Sequence, residues 1–226
     1  MSTRALRLVA LAALACGLMP AWLSAQRQRT PQAPARLFQP LDLGLLEAPD
    51  RDLWQKPDFI MDELGIADGS VVAEVGAGSG WFTMRLARRV GPNGIVYSED
   101  IQRQMIEVID RRIDQEGLHN VRTILGTPDD PRLPAGKLDA VLLVDVYREV
   151  DNPEVLLRHV ARALQPNGRF GLVDFKPGGG GPGPAPDERV DPATVIRTAA
   201  AAGLHLMKQE DVPPFEFLLV FERNAS

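Results

Sequence analysis

A glycine-rich turn with acidic neighbours carries the clearest chemical signal in this sequence. The stretch VVAEVGAGSG, residues 71–80, places Gly76, Gly78 and Gly80 after a β-branched run and before a segment whose apolar residues have helical spacing. Glycines at such a turn let the backbone approach a ligand closely, and the start of the helix supplies free N–H groups and a partial positive charge. The pattern therefore predicts a site for a nucleotide-like ligand.

Acidic residues stand where this ligand would lie. Glu74 ends the first predicted strand, where an unpaired charge is costly, and this favours a role facing the ligand over a plain strand-end charge. Asp100 ends the second predicted strand, twenty residues beyond Gly80, and an acid there can accept hydrogen bonds from ribose hydroxyls. Glu99 is adjacent, so the residues leave the choice between these two acids open, and a solvated turn acid is the alternative for Asp100.

The spacing of the glycines separates two kinds of nucleotide site. The dinucleotide fingerprint is G-x-G-x-x-G, in which the third glycine permits close packing of helix on strand. Position 81 is Trp in this chain, so that glycine is missing and a bulky ring would crowd the packing. An NAD-dependent oxidoreductase is therefore the less favoured alternative.

The pattern along the chain is an alternation of strands and helices. The apolar runs SVVAEV, GIVYSE, VRTILG, LDAVLLVDV and GRFGLVDF are separated by segments with helical periodicity, and LHLMKQE and FEFLLVFE follow. Repeated strand–helix units predict a parallel sheet with right-handed crossovers.

These segments resemble one family, the class I S-adenosylmethionine (SAM)-dependent methyltransferases. The motif E-x-G-x-G-x-G at 74–80, the strand KLDAVLLVDV and the stretch ALQPNGRFGLVDF carry a resemblance that extends from Trp54 to Phe221. It implies an α/β, Rossmann-like, seven-stranded and mostly parallel sheet flanked by helices, with the last strand antiparallel. It also implies that SAM is the cofactor, and it favours Asp100 over Glu99 because the segment DIQ resembles the family's segment after the second strand. The cofactor-binding residues that it implies here are Glu74, Gly76, Gly78, Gly80, Asp100 and Asp129.

Asp129 has the weakest motif of this set. The resemblance implies an acid beside the adenine amino group after the third strand, but the usual GDA start is GTP in this chain. A turn built by Pro128 and Asp129 is an equally good interpretation.

Candidate catalytic residues follow the fourth predicted strand. Methyl transfer is an in-line displacement on an activated cofactor, so an enzyme mainly supplies alignment and, for some acceptors, a base. Asp145 and Tyr147 are predicted to line the acceptor pocket, because such groups collect at the carboxyl ends of strands. Related small-molecule methyltransferases often carry a histidine nearby, whereas this chain has Arg148 and Glu149.

Composition limits the other classes of function. The net charge of −5 argues against a nucleic-acid partner, which would require clustered basic residues. The only cysteine, Cys16, lies in the N-terminal apolar run, and the histidines His119, His159 and His205 lack ligand spacing, so no metal site is predicted. A small-molecule acceptor is the expected partner.

The N-terminus is predicted to be an export signal. Arg4 and Arg7 precede the apolar run 8–19, and small residues follow Pro20, which is the layout of a secretory signal peptide over 1–25. Residues 26–40 are predicted to form a disordered linker, and 41–226 the methyltransferase domain, in a periplasmic or secreted protein. The alternatives are an uncleaved membrane anchor and a lipoprotein site at Cys16.

Because SAM is made in the cytosol, an exported SAM-binding domain without catalysis is the second functional hypothesis.

Overall fold

The computed structural model describes residues 37–39, 44 and 47–224, all of them within one compact unit, Pro34–Ser226. The predicted signal peptide and most of the predicted linker lie outside the described residues, so export and the boundaries at 25 and 40 stay predictions. Within the described ranges, no helix combines the length and the apolar composition needed to span a bilayer.

Strands and helices alternate through most of the described chain. The strands are β1 (Val71–Val75), β2 (Ile95–Asp100), β3 (Val121–Leu125), β4 (Leu138–Val144), β5 (Leu164–Phe175), β6 (Leu204–Val212) and β7 (Glu216–Arg223). The α-helices are α1 (Arg51–Gln55), α2 (Pro57–Glu63), α3 (Trp81–Val90), α4 (Arg103–Glu116), α5 (Pro153–Ala163) and α6 (Pro192–Ala201).

All seven strands form one sheet in the order β3-β2-β1-β4-β5-β7-β6. The first five strands in this order are parallel to one another, while β7 pairs antiparallel with both β5 and β6. The predicted Rossmann-like sheet, with its last strand antiparallel, is therefore confirmed. One consequence is that the first residue of β7 lies at the same edge as the last residues of β4 and β5.

Both faces of the sheet are covered, which explains why β4 is almost wholly apolar. Leu143 belongs to a core cluster with residues of α5 and α6, whereas its neighbour Leu142 belongs to a second cluster with residues of α2 and α3. Alternate side chains of a strand point to opposite faces, so a strand in the middle layer of three needs apolar residues at every position.

The ends of the helices follow local rules that the sequence displays. Pro57, Pro153 and Pro192 stand at the first positions of α2, α5 and α6, where the missing N–H costs no hydrogen bond. Asp191 caps α6, because its Oδ1 accepts a hydrogen bond from the Ala193 amide at 3.0 Å.

The order of the strands reverses beside β1. The chain passes from β1 outward to β2 and β3, and then returns to β4 on the other side of β1. The connections leaving β1 and β4 therefore diverge and open a crevice at the carboxyl edge of the sheet, which is where ligands bind in open α/β sheets.

Candidate active site

A cavity of about 240 Å³ occupies this crevice. Its walls come from the ends of β1, β2 and β4, the turns that follow them, and a short segment near residue 38. Its lining residues include Leu37, Phe38, Arg51, Glu74, Gly76, Ala77, Gly78, Ser79, Trp81, Glu99, Asp100, Gln102, Thr127, Pro128, Asp145, Val146, Glu149, Val150 and Asp151.

The glycine turn is shaped by backbone conformations that favour glycine. Gly76, Gly78 and Gly80 have φ of 71°, 55° and 77°, in the left-handed region that side-chain-bearing residues avoid. A Cβ at Gly76 would also stand 2.6 Å from Cγ2 of Val146. The first glycine therefore allows the turns after β1 and β4 to meet at the base of the cavity.

The amides of this turn bind acids of β2. Gly76 N donates to Oε2 of Glu99 at 3.3 Å, Gly78 N donates to Oδ2 of Asp100 at 2.9 Å, and Ala77 N donates to the Glu99 carbonyl at 2.8 Å. The amides of Gly76, Ala77 and Gly78 are therefore bonded within the chain.

Both acids of β2 are brought to the cavity. Asp100 also accepts a hydrogen bond from Gln102 N at 2.8 Å, which leaves part of its acceptor capacity for a ligand hydroxyl. Glu99 is 2% exposed, and its Oε1 is buried without a hydrogen-bond partner. Burial, and secondly the neighbouring Asp100, raise the pKa of Glu99 to about 8. Glu99 therefore carries a proton near neutral pH and can donate as well as accept.

Glu74 lies at the base of the cavity and is buried. Its Oε2 accepts a short hydrogen bond from the Thr83 hydroxyl, which also contacts the Ser98 hydroxyl at 2.7 Å. Burial raises the pKa of Glu74 to about 8, against the lowering effects of Thr83 and Arg51. Glu74 lies in the cavity wall, and its contact with a ligand stays a prediction.

Arg51, on α1, was missed by sequence reasoning. Its guanidinium lies 4.3 Å from the centre of the Trp81 ring, and Nη2 lies 3.8 Å from Oδ2 of Asp145. Trp81 is sandwiched, since Arg85 lies 3.5 Å from the same ring centre. Trp81, which stands where the dinucleotide motif has its third glycine, thus stabilises the Arg51 guanidinium at the cavity by a cation–π contact.

Asp145 directly follows β4 and also lines the cavity. It has φ of 59°, which is uncommon for a residue with a side chain, and its backbone N donates to the Val173 carbonyl at 3.0 Å. Its Oδ1 is buried without a hydrogen-bond partner, whereas its Oδ2 faces Arg51 and lies 3.4 Å from Gln55 Nε2. Burial raises the pKa of Asp145, and Arg51 opposes the shift.

The segment around Phe38 spans the cavity mouth. Phe38 N donates to Oε2 of Glu149 at 3.0 Å, and Gln102 Nε2 donates to the Phe38 carbonyl at 3.0 Å. One peptide segment therefore joins the turn after β4 to the turn after β2. Although Phe38 lies within the predicted linker, the described part of that linker, residues 37–39, contributes Leu37 and Phe38 to the cavity.

Three predicted site residues, Gly80, Tyr147 and Asp129, do not line the cavity. Gly80 stands at the N-cap of α3 instead. Tyr147 opens a single 3-10 turn and is buried in the core cluster shared with Val195 and Ala199. The turn directs Tyr147 toward α6, and Glu149 faces the cavity in its place.

Asp129 is exposed, and its Oδ1 accepts a hydrogen bond from Asn152 Nδ2 at 2.8 Å, as expected from the turn interpretation. Asn152 stands at the N-cap position of α5, yet its side chain makes this contact instead of capping the helix.

The described residues contain no group of three or more His, Cys, Asp or Glu side chains with the arrangement of a metal site.

Comparison with known proteins shows which domain the cavity region resembles. A family model described as a methyltransferase domain matches residues 72–168, which contain the glycine turn, the acids of β2 and Asp145. A SAM-dependent methyltransferase from Aquifex aeolicus superposes with a TM-score of 0.78 at 25% identity, over 81% of this chain and 98% of that one.

Two curated relatives match the same region. The ubiquinone/menaquinone biosynthesis C-methyltransferase UbiE of Ectopseudomonas mendocina is 32% identical over 56% of this chain and 49% of its own length. The nocamycin O-methyltransferase of Saccharothrix syringae is 34% identical over 58% of this chain and 44% of its own length. The chain thus spans about half the length of the curated relatives it matches.

The sheet order, the crevice and these matches together define a Rossmann-like methyltransferase domain. Residues 72–168 match a methyltransferase domain, and the fold that carries them is that of SAM-dependent methyltransferases, whose cofactor is SAM.

The cavity has the chemistry that SAM requires. SAM carries a sulfonium, an ammonium and a carboxylate, together with ribose hydroxyls. The buried acids of the wall match the cationic groups, Glu99 and Asp100 provide acceptors for hydroxyls, and the Arg51 guanidinium provides a cation for the carboxylate. The residues present therefore fit the cofactor of the family.

Proposed function

We propose that this protein transfers a methyl group from SAM to a small-molecule acceptor, with Asp145 as the acceptor's base. The observation that supports it most directly is the buried, unpartnered Oδ1 of Asp145 in the wall of a cavity whose other end carries Glu99 and Asp100. A buried carboxylate oxygen without a hydrogen bond is costly, and a ligand proton would relieve that cost.

Different residues of the chain bind the cofactor and act on the acceptor. Asp100 and Glu99 hold the ribose, and Arg51 holds the cofactor's carboxylate, since the amides of Gly76, Ala77 and Gly78 have partners within the chain. The glycine turn provides close approach of the backbone. When bound, SAM supplies an activated methyl group, so the protein needs to align the acceptor and remove its proton.

Asp145 accepts the proton that a hydroxyl or amine acceptor loses as its oxygen or nitrogen takes the methyl group. Trp81 and Phe38 add aromatic side chains to the cavity lining. Tyr147, which the sequence suggested as a partner of Asp145, has no part in this proposal because its ring lies in the core.

The first experiment tests the cofactor. We expect isothermal titration calorimetry on the purified protein to show binding of SAM and of its demethylated product, and little or no binding of NAD. Tight NAD binding without heat from SAM would overturn the methyltransferase proposal.

The second experiment tests catalysis. Methyl-labelled SAM is incubated with the protein and a small-molecule extract of the host, and label in the extract is counted. Asp145→Asn should bind SAM within a few-fold of the natural protein and transfer at least tenfold less label, while Asp187→Asn, in an exposed turn, serves as the matched control. SAM binding without label transfer to any extract would favour the non-catalytic SAM-binding domain.

The proposal includes export, on the basis of the N-terminal sequence. We expect the protein isolated from its host to begin at or near Gln26 and to lie outside the cytoplasm. N-terminal sequencing tests this, and an intact Met1 on cytosolic protein would contradict it.

A further inference from the structure

Three carboxyl groups meet at one edge of the sheet, behind the cavity wall. Asp145 follows β4, Asp174 lies near the end of β5, and Glu216 begins β7. Because β7 is antiparallel, Glu216 pairs with Phe175 and lies beside the ends of the other two strands. Asp145 lines the cavity, while Asp174 and Glu216 are buried behind it.

The Gln55 side chain binds two of these carboxyl groups at once. Its Nε2 lies 2.7 and 2.9 Å from the two oxygens of Glu216 and 3.4 Å from Oδ2 of Asp145. Its Oε1 accepts a hydrogen bond from Arg51 Nε at 2.7 Å, which fixes the end of the amide that faces the carboxyl groups. Two carboxyl groups that converge on one nitrogen are close enough to interact strongly.

Asp145 and Glu216 are two acids in one largely buried site, and together they retain a proton near neutral pH. Glu216 and Gln55 have no exposed surface, and Asp174 is 1% exposed. Like charges that share a buried site cannot all ionise near neutral pH, so one proton is retained by the group. Asp145 faces Arg51 directly at 3.8 Å, which favours ionised Asp145 and leaves the proton to Glu216.

We propose that Asp145 and Glu216 share one proton, that Glu216 holds it, and that Glu216 and Gln55 thereby keep Asp145 as the anion that serves as base. This inference rests on the proposed function for the role of Asp145. Glu216 is a positioning residue here, since it does not line the cavity. Its O–H donates to the Asp145 carboxylate, and the acceptor's proton goes to the other oxygen of Asp145, Oδ1.

The surrounding charges agree with this distribution. Arg51 on α1 and Arg148 in the turn after β4 both lower the pKa of Asp145, although its burial raises it overall. Burial raises the pKa of Glu216 well above its usual value, and the Asp145 anion adds to the shift. The pKa of Asp174 is raised to about 7, by burial first and by Asp145 second.

The remaining charged groups around the three acids are Glu149 and Arg189. Glu149 and Asp145 repel each other, which adds to the raised pKa of Glu149 that burial causes. Arg189 lowers the pKa of Asp174. Neither group reverses the order in which Asp145 ionises before Glu216.

The experiment measures protonation directly, without a methyl acceptor. Carboxyl carbons of Glu and Asp are labelled with carbon-13 and followed by NMR from pH 4 to pH 10. Signals are assigned by their loss in Glu216→Gln and Asp145→Asn. We expect the Glu216 carbon to keep the chemical shift of a protonated acid at pH 7. Titration of that carbon near the ordinary Glu value would overturn the proposal.

Two variants of Glu216 test its effect on Asp145. Glu216→Gln retains an N–H that can donate to Asp145, so the Asp145 titration should stay close to that of the natural protein. Glu216→Leu removes the donor and should raise the pKa of Asp145 by about one unit, the scale of one hydrogen bond to a charged group. An unchanged Asp145 titration in Glu216→Leu would contradict the proposal.

Glu222→Gln is the matched control, because Glu222 lies on the same strand at its far end, near Arg169. If Glu216→Leu does not fold, the natural protein and Glu216→Gln still locate the proton. The titration does not depend on SAM, so a proton found on Glu216 in a protein that binds no SAM would overturn the proposed function and leave this pair standing.

Discussion

The amide of Gly78 donates a hydrogen bond to Oδ2 of Asp100, with 2.9 Å between nitrogen and oxygen, and so joins the turn after β1 to the end of β2. Asp100 therefore positions the glycine turn as well as offering an acceptor to the ribose. The two features that the sequence presents as separate signals act as one structural unit.

Asp100→Ala should weaken SAM binding by about ten- to hundredfold, the scale of a lost hydrogen bond to a charged group. The loss has two causes, since the ribose loses an acceptor and the Gly78 amide loses its partner. Calorimetry measures it, with Asp114→Ala on the exposed side of α4 as the control. Equal affinities in the two variants would contradict the assignment of Asp100.

Gly76→Ala should lower the free energy of unfolding more than Gly117→Ala. Both glycines have positive φ, at 71° and 64°, but a Cβ at Gly117 meets nothing within 4 Å, whereas one at Gly76 meets Val146. We expect about 1 kcal/mol for the conformation alone at Gly117 and roughly 1–3 kcal/mol more at Gly76 from the steric overlap. Thermal or denaturant unfolding measures both values.

Val146→Ala provides the internal check on that prediction. In the Gly76→Ala background it should recover part of the lost stability, because it removes the methyl groups that the new Cβ would meet. Strictly additive effects of the two substitutions would show that the overlap is not the cause.

Stability should fall as pH rises from about 5 to about 8, and Glu74 contributes to this fall. Its pKa is about 8 in the folded protein and 4.5 ordinarily, so across this range the folded state binds more protons than the unfolded state. The stabilisation is complete below the ordinary value and is lost as pH rises toward the folded value, at up to about 1.4 kcal/mol per pH unit. Glu74→Gln should make the free energy of unfolding depend less on pH, whereas Glu107→Gln, at an exposed position, should not. The measurement is denaturant unfolding at a series of pH values. Parallel curves for Glu74→Gln and the natural protein would rule out a contribution from Glu74.

Tyr147→Phe should leave SAM affinity and methyl transfer within about twofold of the natural protein, because the ring belongs to the core and does not line the cavity. This reverses the expectation from sequence. A tenfold loss of transfer in Tyr147→Phe with SAM affinity unchanged would restore Tyr147 to the reaction.

Phe38→Ala should weaken SAM binding several-fold, since Phe38 lines the cavity and its backbone joins Gln102 to Glu149. The matched control is Leu53→Ala, which removes an apolar side chain that is 78% exposed on α1. Equal SAM affinities in calorimetry would show that the segment at the mouth is not part of the site.

The sequence by itself determined the sheet, the turn and the acids of β1 and β2. These features depend on short-range patterns: β-branched runs make buried strands, glycines permit positive φ, and prolines and Asp191 begin helices. Asp145 was also predictable, because the carboxyl end of an apolar strand at the crevice is a fixed place in this architecture.

Only the tertiary structure decided which polar groups meet behind the cavity and which side chains face it. Gln55 and Glu216 are 161 residues apart, and they meet because α1 packs at the edge where the antiparallel β7 begins. A 3-10 turn directs Tyr147 into the core and Glu149 to the cavity. A polar Glu216 at the start of the apolar run FEFLLVF was the available signal, but a single sequence does not specify the partner of a buried charge, because that partner is set by packing between distant elements.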